Sequence, residues 1–99
     1  MNKKFELVEF DWDLGNRSKN SEKHGITASE SEEIFLDEKS VIIRDIKHSQ
    51  QEDRFMVIGQ TFFKELLFVV FTLRKNKIRI VSARKANKNE KNAYKKGER

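Results

Sequence analysis

The stretch KELLFVVFTLRKNKIRIVSAR, residues 64–84, decides the fold. Leu66 to Phe71 is apolar on both alternating faces, as a central strand covered on two sides must be. Lys77 to Arg84 instead alternates, which predicts a last, half-exposed strand with Arg79, Val81 and Ala83 on one face and Ile78, Ile80 and Ser82 on the other. Only Arg74-Lys75-Asn76-Lys77 separates the two, so they form a hairpin. Working back, RFMVIGQTF (54–62) and SVIIRDI (40–46) carry the same β-branched and aromatic bias. Phe62-Phe63-Lys64 is again a short connection, and four antiparallel strands are expected.

After the last strand the pattern changes. Ala86, Glu90, Ala93 and Tyr94 recur at helical spacing, predicting a final helix from about Lys85. Before the strands, Thr27-Ala28-Ser29-Glu30 fits a capping box and opens a helix to about Leu36. Its apolar residues are few, which predicts a surface position. Further back, Asp13 can cap a helix running to about His24, where Gly25 supplies the left-handed terminus. That helix has Leu14 as its one strongly apolar residue, so its own packing stabilises it little. FELVEFDW (5–12) reads as a first strand with a phase slip. The predicted order is β-α-α-β-β-β-β-α, an α+β domain with an antiparallel sheet flanked by two N-terminal helices and one C-terminal helix. The last residues, 95–99, are expected to fray.

Ninety-nine residues support one hydrophobic core, so residues 1–99 are expected to form a single domain. The longest apolar run, Leu66 to Phe71, is far short of the roughly 20 residues of a membrane helix. MNKKFELVEF has no long apolar segment after its lysines, so a secretory leader is not expected and a cytoplasmic location is. The absence of cysteine excludes disulfides, zinc–thiolate sites and thiol nucleophiles. With only two histidines, far apart in the chain, neither a metal site nor a cofactor is expected. The net charge of +5 is concentrated: residues 74–96 hold ten Lys or Arg against Glu90 alone. Ser29 to Glu38 is acidic instead. A basic C-terminal end suits a phosphate-bearing partner, although solvated surface lysines would look the same.

Lys23-His24 can be read simply as cations favoured at a helix C-terminus. Histidine is also the side chain that exchanges protons near neutral pH, and Asn20 lies one turn back on the same face. Arg79 can clamp a phosphate bidentately from a rigid strand, and Arg84 at the strand end and Arg54 at the start of another can add cations. An arginine on a solvent face explains each equally well. Arg44 has no such company. His48 lies in a polar loop, and Glu90 and Tyr94 read as a charge-pairing and a packing group, or as an acid/base group and a stacking ring. Paired carboxylates, a serine elbow and a glycine-rich phosphate loop are all missing. What remains suits metal-free RNA cleavage, in which the 2′-hydroxyl attacks its own phosphate: a base, an acid and cations for the phosphorane charge.

WDLGNRSKNSEKHGIT (12–27) resembles the WD…N…KHG opening of the BrnT family, ribonuclease toxins of bacterial type II toxin–antitoxin systems. Glu32-Glu33-Ile34-Phe35, HSQQEDRFMVIG (48–59) and IRIVSARKANKNEKNAY (78–94) continue the resemblance in order over nearly the whole chain. The resemblance implies a RelE-like fold and an endoribonuclease that inhibits translation. It also implies a cognate BrnA-like antitoxin with a ribbon-helix-helix part, through which alone the complex would contact DNA. The matching positions are Trp12, Asp13, Asn20, Lys23, His24, Gly25, His48, Arg54, Phe55, Gly59, Arg79, Ser82, Arg84, Glu90 and Tyr94. Of these, Lys23, His24, Arg54, Arg79 and Arg84 are the expected catalytic residues, and Asn20 and Tyr94, with neighbouring Lys85 and Lys88, the expected RNA contacts. Gly25 and Gly59 are expected to serve the backbone. Asn16 departs from the lysine that many members of the family carry. The competing expectation is a non-catalytic basic module that grips nucleic acid or a protein in a regulatory complex.

Overall fold

The structure, a computed structural model, describes residues 9–11, 25–45 and 53–97. The chain runs through α1 (Ala28–Glu33), a 3-10 turn (Ile34–Leu36), β1 (Val41–Arg44), β2 (Arg54–Gln60), β3 (Leu66–Arg74), β4 (Lys77–Lys85) and α2 (Lys88–Lys96). The strands form an antiparallel sheet in sequence order, with β3 interior as its apolar faces predicted. Lys75 and Asn76, at φ 50 and 65, make the tight left-handed turn of the β3–β4 hairpin. The helix expected over 13–24 lies outside the described residues.

Of the expected first strand, residues 9–11 are described. They run parallel to β4, with Ile78 N–H donating to the Glu9 carbonyl and Asp11 N–H to that of Ile78, both at 2.8 Å. Phe10 thereby faces the core and touches Phe35 edge-on, with ring centroids 5.4 Å apart.

α1 starts at the expected capping box: Glu30 N–H donates to Thr27 Oγ1 and Thr27 N–H to Glu30 Oε1. The expectation of a surface helix needs correcting. Where the coil tightens into the 3-10 turn, Ile34 and Phe35 both enter the core and, with Ile26, cover one face of the sheet. Val57, Leu67, Val69, Phe71, Ile78, Ile80 and Ala83 supply that inner face. Close approach is possible because residue 59 is glycine: a Cβ there would stand 2.8 Å from Ile34 Cβ and 2.9 Å from the Ile34 carbonyl oxygen. Gly59→Ala is therefore expected to cost about 1–3 kcal/mol, the usual range for overpacking. A urea unfolding midpoint equal to wild type would show that the turn yields freely.

α2 starts three residues later than expected, because β4 stays paired as far as Lys85 and Asn87 then caps the helix. Asn87 and Glu90 form a second capping box, and Gly97 at φ +69 ends the helix. Arg84, which pairs with Phe68 on the outer face of the sheet, reaches Glu90, so α2 crosses that face toward β2.

Candidate active site

Strict alternation along β4 would put Arg79 and Arg84 on opposite faces. The ladder corrects this: Val70 pairs with Ser82 but Phe71 with Ile80, leaving Val81 as the extra residue of a β-bulge. Beyond the bulge the phase is inverted. Ile78, Ile80 and Ala83 face the core, whereas Arg79, Ser82 and Arg84 share the outer face. The grouping of Arg79 with Ala83 read from the sequence is thus replaced by a grouping of Arg79 with Arg84.

The register brings Arg54 to the same face. Thr72 of β3 pairs with Arg54 of β2 on one side and with Arg79 of β4 on the other. The two arginines flank one threonine, their Cα atoms about 10 Å apart at the usual strand spacing. Thr72 is completely buried, and its Oγ1 has no hydrogen-bond partner among the described residues. A buried hydroxyl left unpaired costs about 1–3 kcal/mol, so its place between two arginine positions needs a reason. Asp11 adds a carboxylate beside the row: its Oδ2 lies 3.8 Å from Arg79, whose side chain is 22% exposed. The pairing of 9–11 with β4 puts Asp11 there. Sequence reasoning missed both residues, because Thr72 looks like an ordinary strand former and Asp11 like one acid of an alternating strand.

Arg84 stands four β3 residues further along, about 13 Å from Arg79 at the normal strand rise. It makes a two-pronged pair with Glu90, 2.8 Å on each prong, and donates to the Lys85 carbonyl. Its guanidinium lies 4.3 Å above the Phe68 ring. The hydrogen bond to Glu90 raises the arginine's pKa, against a smaller opposing effect of burial. Burial pushes the Glu90 carboxyl up, but the bonds from Arg84 and Asn87 and the arginine's charge bring it below its ordinary value. This pair fastens the start of α2 to the sheet.

Tyr94 fastens the other end. Its hydroxyl donates to Asp37 Oδ2 at 2.6 Å, and the same oxygen accepts Gln60 N–H at 2.9 Å. Burial first, then the bond to Asp37 and its charge, push the phenol well above its ordinary pKa, so it stays protonated. The hydroxyl of this expected RNA contact is therefore engaged within the fold. Lys85 lies 3.8 Å from Glu65, and Lys88 is exposed at the start of α2. Arg44, set aside at the sequence level, pairs with Asp53 at 2.6 Å. Lys23, His24, Asn20 and His48 lie outside the described residues. Gly25 has the left-handed backbone expected of it, at φ +68. Of the five expected catalytic residues, the structure brings Arg54 and Arg79 together around Thr72 and sets Arg84 apart with Glu90. Among the described residues no cluster of His, Asp or Glu could hold a metal ion, and no helix is long and apolar enough to cross a membrane.

A family model described as the ribonuclease toxin BrnT of a type II toxin–antitoxin system matches residues 12–90. The crystal structure of the Brucella abortus ribonuclease toxin BrnT is similar to this chain, with a TM-score of 0.62. The match covers 83% of this chain and all of that one at 24% identity, a likeness of fold. No curated protein sequence matches.

Proposed function

The chain belongs to the BrnT family of ribonuclease toxins of type II toxin–antitoxin systems, and from that premise we propose that it cleaves RNA by metal-independent transesterification on the outer face of its sheet. The observation that carries this reading is the row Arg54–Thr72–Arg79, two cations on fixed strands on either side of a buried hydroxyl that has no partner among the described residues. Arginine forks match phosphate oxygens bidentately, and strands hold them without reorganisation during the reaction. Charge developing on a pentacoordinate phosphorus is stabilised by donors placed in advance in this way.

In the proposed reaction the 2′-oxygen forms a bond to the adjacent phosphorus while the bond from phosphorus to the 5′-oxygen breaks. The 2′-hydroxyl proton passes to a base, and an acid protonates the departing 5′-oxygen. The products carry a 2′,3′-cyclic phosphate and a 5′-hydroxyl. Arg54 and Arg79 bind the non-bridging oxygens, and Thr72, closed over in the free protein, is uncovered as they engage the phosphate and donates a third hydrogen bond. His24, with Lys23 beside it, is assigned to the proton transfers because its ordinary pKa is near neutrality. Lys85 and Lys88 provide positive potential for the flanking strand, Arg84 holds α2 in place beside them through Glu90, and Asn20 and the Tyr94 ring are further contacts. The cleaved RNA is cellular, so the site of action is the cytoplasm and the outcome is inhibited translation. The neutralising partner is a BrnA-like, ribbon-helix-helix antitoxin that alone contacts DNA.

The test is incubation of purified protein with single-stranded RNA in excess EDTA, followed by end-group analysis. Cleavage with cyclic-phosphate and 5′-hydroxyl ends is expected. Intact RNA, a requirement for divalent metal, or 5′-phosphate ends would overturn the reading.

A further inference from the structure

At the opposite end of the sheet from Arg54 and Arg79, the 3-10 turn meets the β2–β3 connection. Phe62 N–H donates to Glu33 Oε1 at 2.9 Å and Gln60 N–H to Asp37 Oδ2, tying the hairpin tip to the helix. Between them lies a groove of about 310 Å³ walled by Phe10, Ser29, Glu32, Glu33, Leu36 and Phe62. A second hollow, of about 240 Å³, shares Glu33, Leu36 and Phe62 with the first, so the two form one trough. Its apolar walls are unusually open to water: Leu36 is 58% exposed, Phe62 67% and neighbouring Phe63 90%. Two phenylalanines on an exposed hairpin tip add nothing to the core, and apolar patches of this kind mark interaction surfaces.

The charge around the trough says what occupies it. Glu32, Glu33 and Asp37 line the trough against one cation, Lys64, on a chain whose net charge is +5. An acid-rimmed surface repels RNA, and it favours a protein segment with apolar anchors flanked by Lys or Arg. We propose that this trough docks a basic, amphipathic segment of the antitoxin, held by Leu36, Phe62 and Phe63 and steered by the acidic rim. The choice of antitoxin as occupant rests on membership of the toxin–antitoxin family and not on the cleavage mechanism. Because the trough lies six β2 residues away from Arg54, at the other end of the sheet, docking and RNA cleavage separate at the level of single residues.

The experiment uses the toxin co-produced with the antitoxin of its own operon. Phe62→Ser combined with Phe63→Ser, and separately Leu36→Ser, are measured for antitoxin affinity, RNA cleavage and growth arrest. The expected result is affinity weakened on the order of 30-fold, as for buried aromatic anchors, with cleavage and arrest at wild-type levels. Cells would then be arrested even in the presence of antitoxin. The wild-type affinity is also expected to fall as salt is raised, since the rim charges are exposed. Unchanged antitoxin affinity in both variants overturns the proposal. So does equal loss of RNA cleavage, or a serine variant that loses only self-association, which would make a second copy the occupant. A toxin that cuts no RNA yet loses its antitoxin on these substitutions would sink the ribonuclease reading and leave this one standing.

Discussion

Replacing Arg79 with alanine is expected to lower RNA cleavage by about 10²–10³-fold and to abolish growth arrest, the loss seen when one pre-placed charge donor is removed from an oxyanion site. Arg79 is held on a strand between Thr72 and the 9–11 segment, so its guanidinium is oriented before RNA arrives. Truncation removes that orientation along with the charge. Arg79→Lys restores the charge but not the fork, and it is expected to recover only part of the rate. Stability should change little. The pair with Asp11 is 3.8 Å apart and partly exposed, and such pairs contribute about 0–1 kcal/mol. RNA affinity offers a second readout: the log–log salt slope should become shallower by about 0.7 if Arg79 neutralises one phosphate of a single strand. An alanine variant that melts like wild type and cuts RNA within threefold of its rate would remove Arg79 from the site.

The second large effect concerns Thr72, and its two parts run in opposite directions. Thr72→Val keeps the shape of a fully buried side chain while removing a hydroxyl with no partner among the described residues. Deleting an unpaired buried polar group is expected to leave stability unchanged or to raise it by about 1 kcal/mol. Once the side chains over it part for the phosphate, a hydrogen bond from that hydroxyl to a charged oxygen would stabilise by about 1.5–3 kcal/mol, so cleavage should fall by about 10- to 100-fold. Thr72→Ser should restore activity. Thermal melting and single-turnover cleavage on the three proteins decide it. A less stable valine variant would mean that the hydroxyl is bonded in the fold, and a fully active one that it does not touch substrate. Retained stability with lost activity is the signature of a group kept unsatisfied for function.

The parts of the molecule legible in sequence are those governed by neighbouring residues. The apolar run Leu66–Phe71 marked the central strand, Arg74 to Lys77 the tight turn, and Thr27 with Glu30 the start of α1, because each depends on contacts two to four residues apart. The burial of Ile34 and Phe35 was harder to read: two adjacent apolar residues look like a weak helical stripe until the coil tightens and aims both at the sheet. Tyr94 and Asp37 are 57 positions apart in sequence, and no local pattern announces their bond. At the site, arginines and basic charge could be picked out by type. Their grouping could not, since a bulge formed by a valine has no compositional mark of the kind a glycine leaves. Thr72 was invisible for a related reason, as what singles it out is the pair of arginines that the ladder places on either side of it.

The extra residue in β4 also bears on how this surface can change over time. Ladder pairing is in step on both sides of Val81, so a chain lacking that residue could close the gap and keep Arg79, Ser82 and Arg84 on the same side. The number of residues separating the two arginines is therefore free to drift by one without moving either across the sheet. A search for distant kin by fixed arginine spacing would discard chains whose surfaces superimpose on this one. What descent must preserve here is the side of the sheet on which a charge emerges.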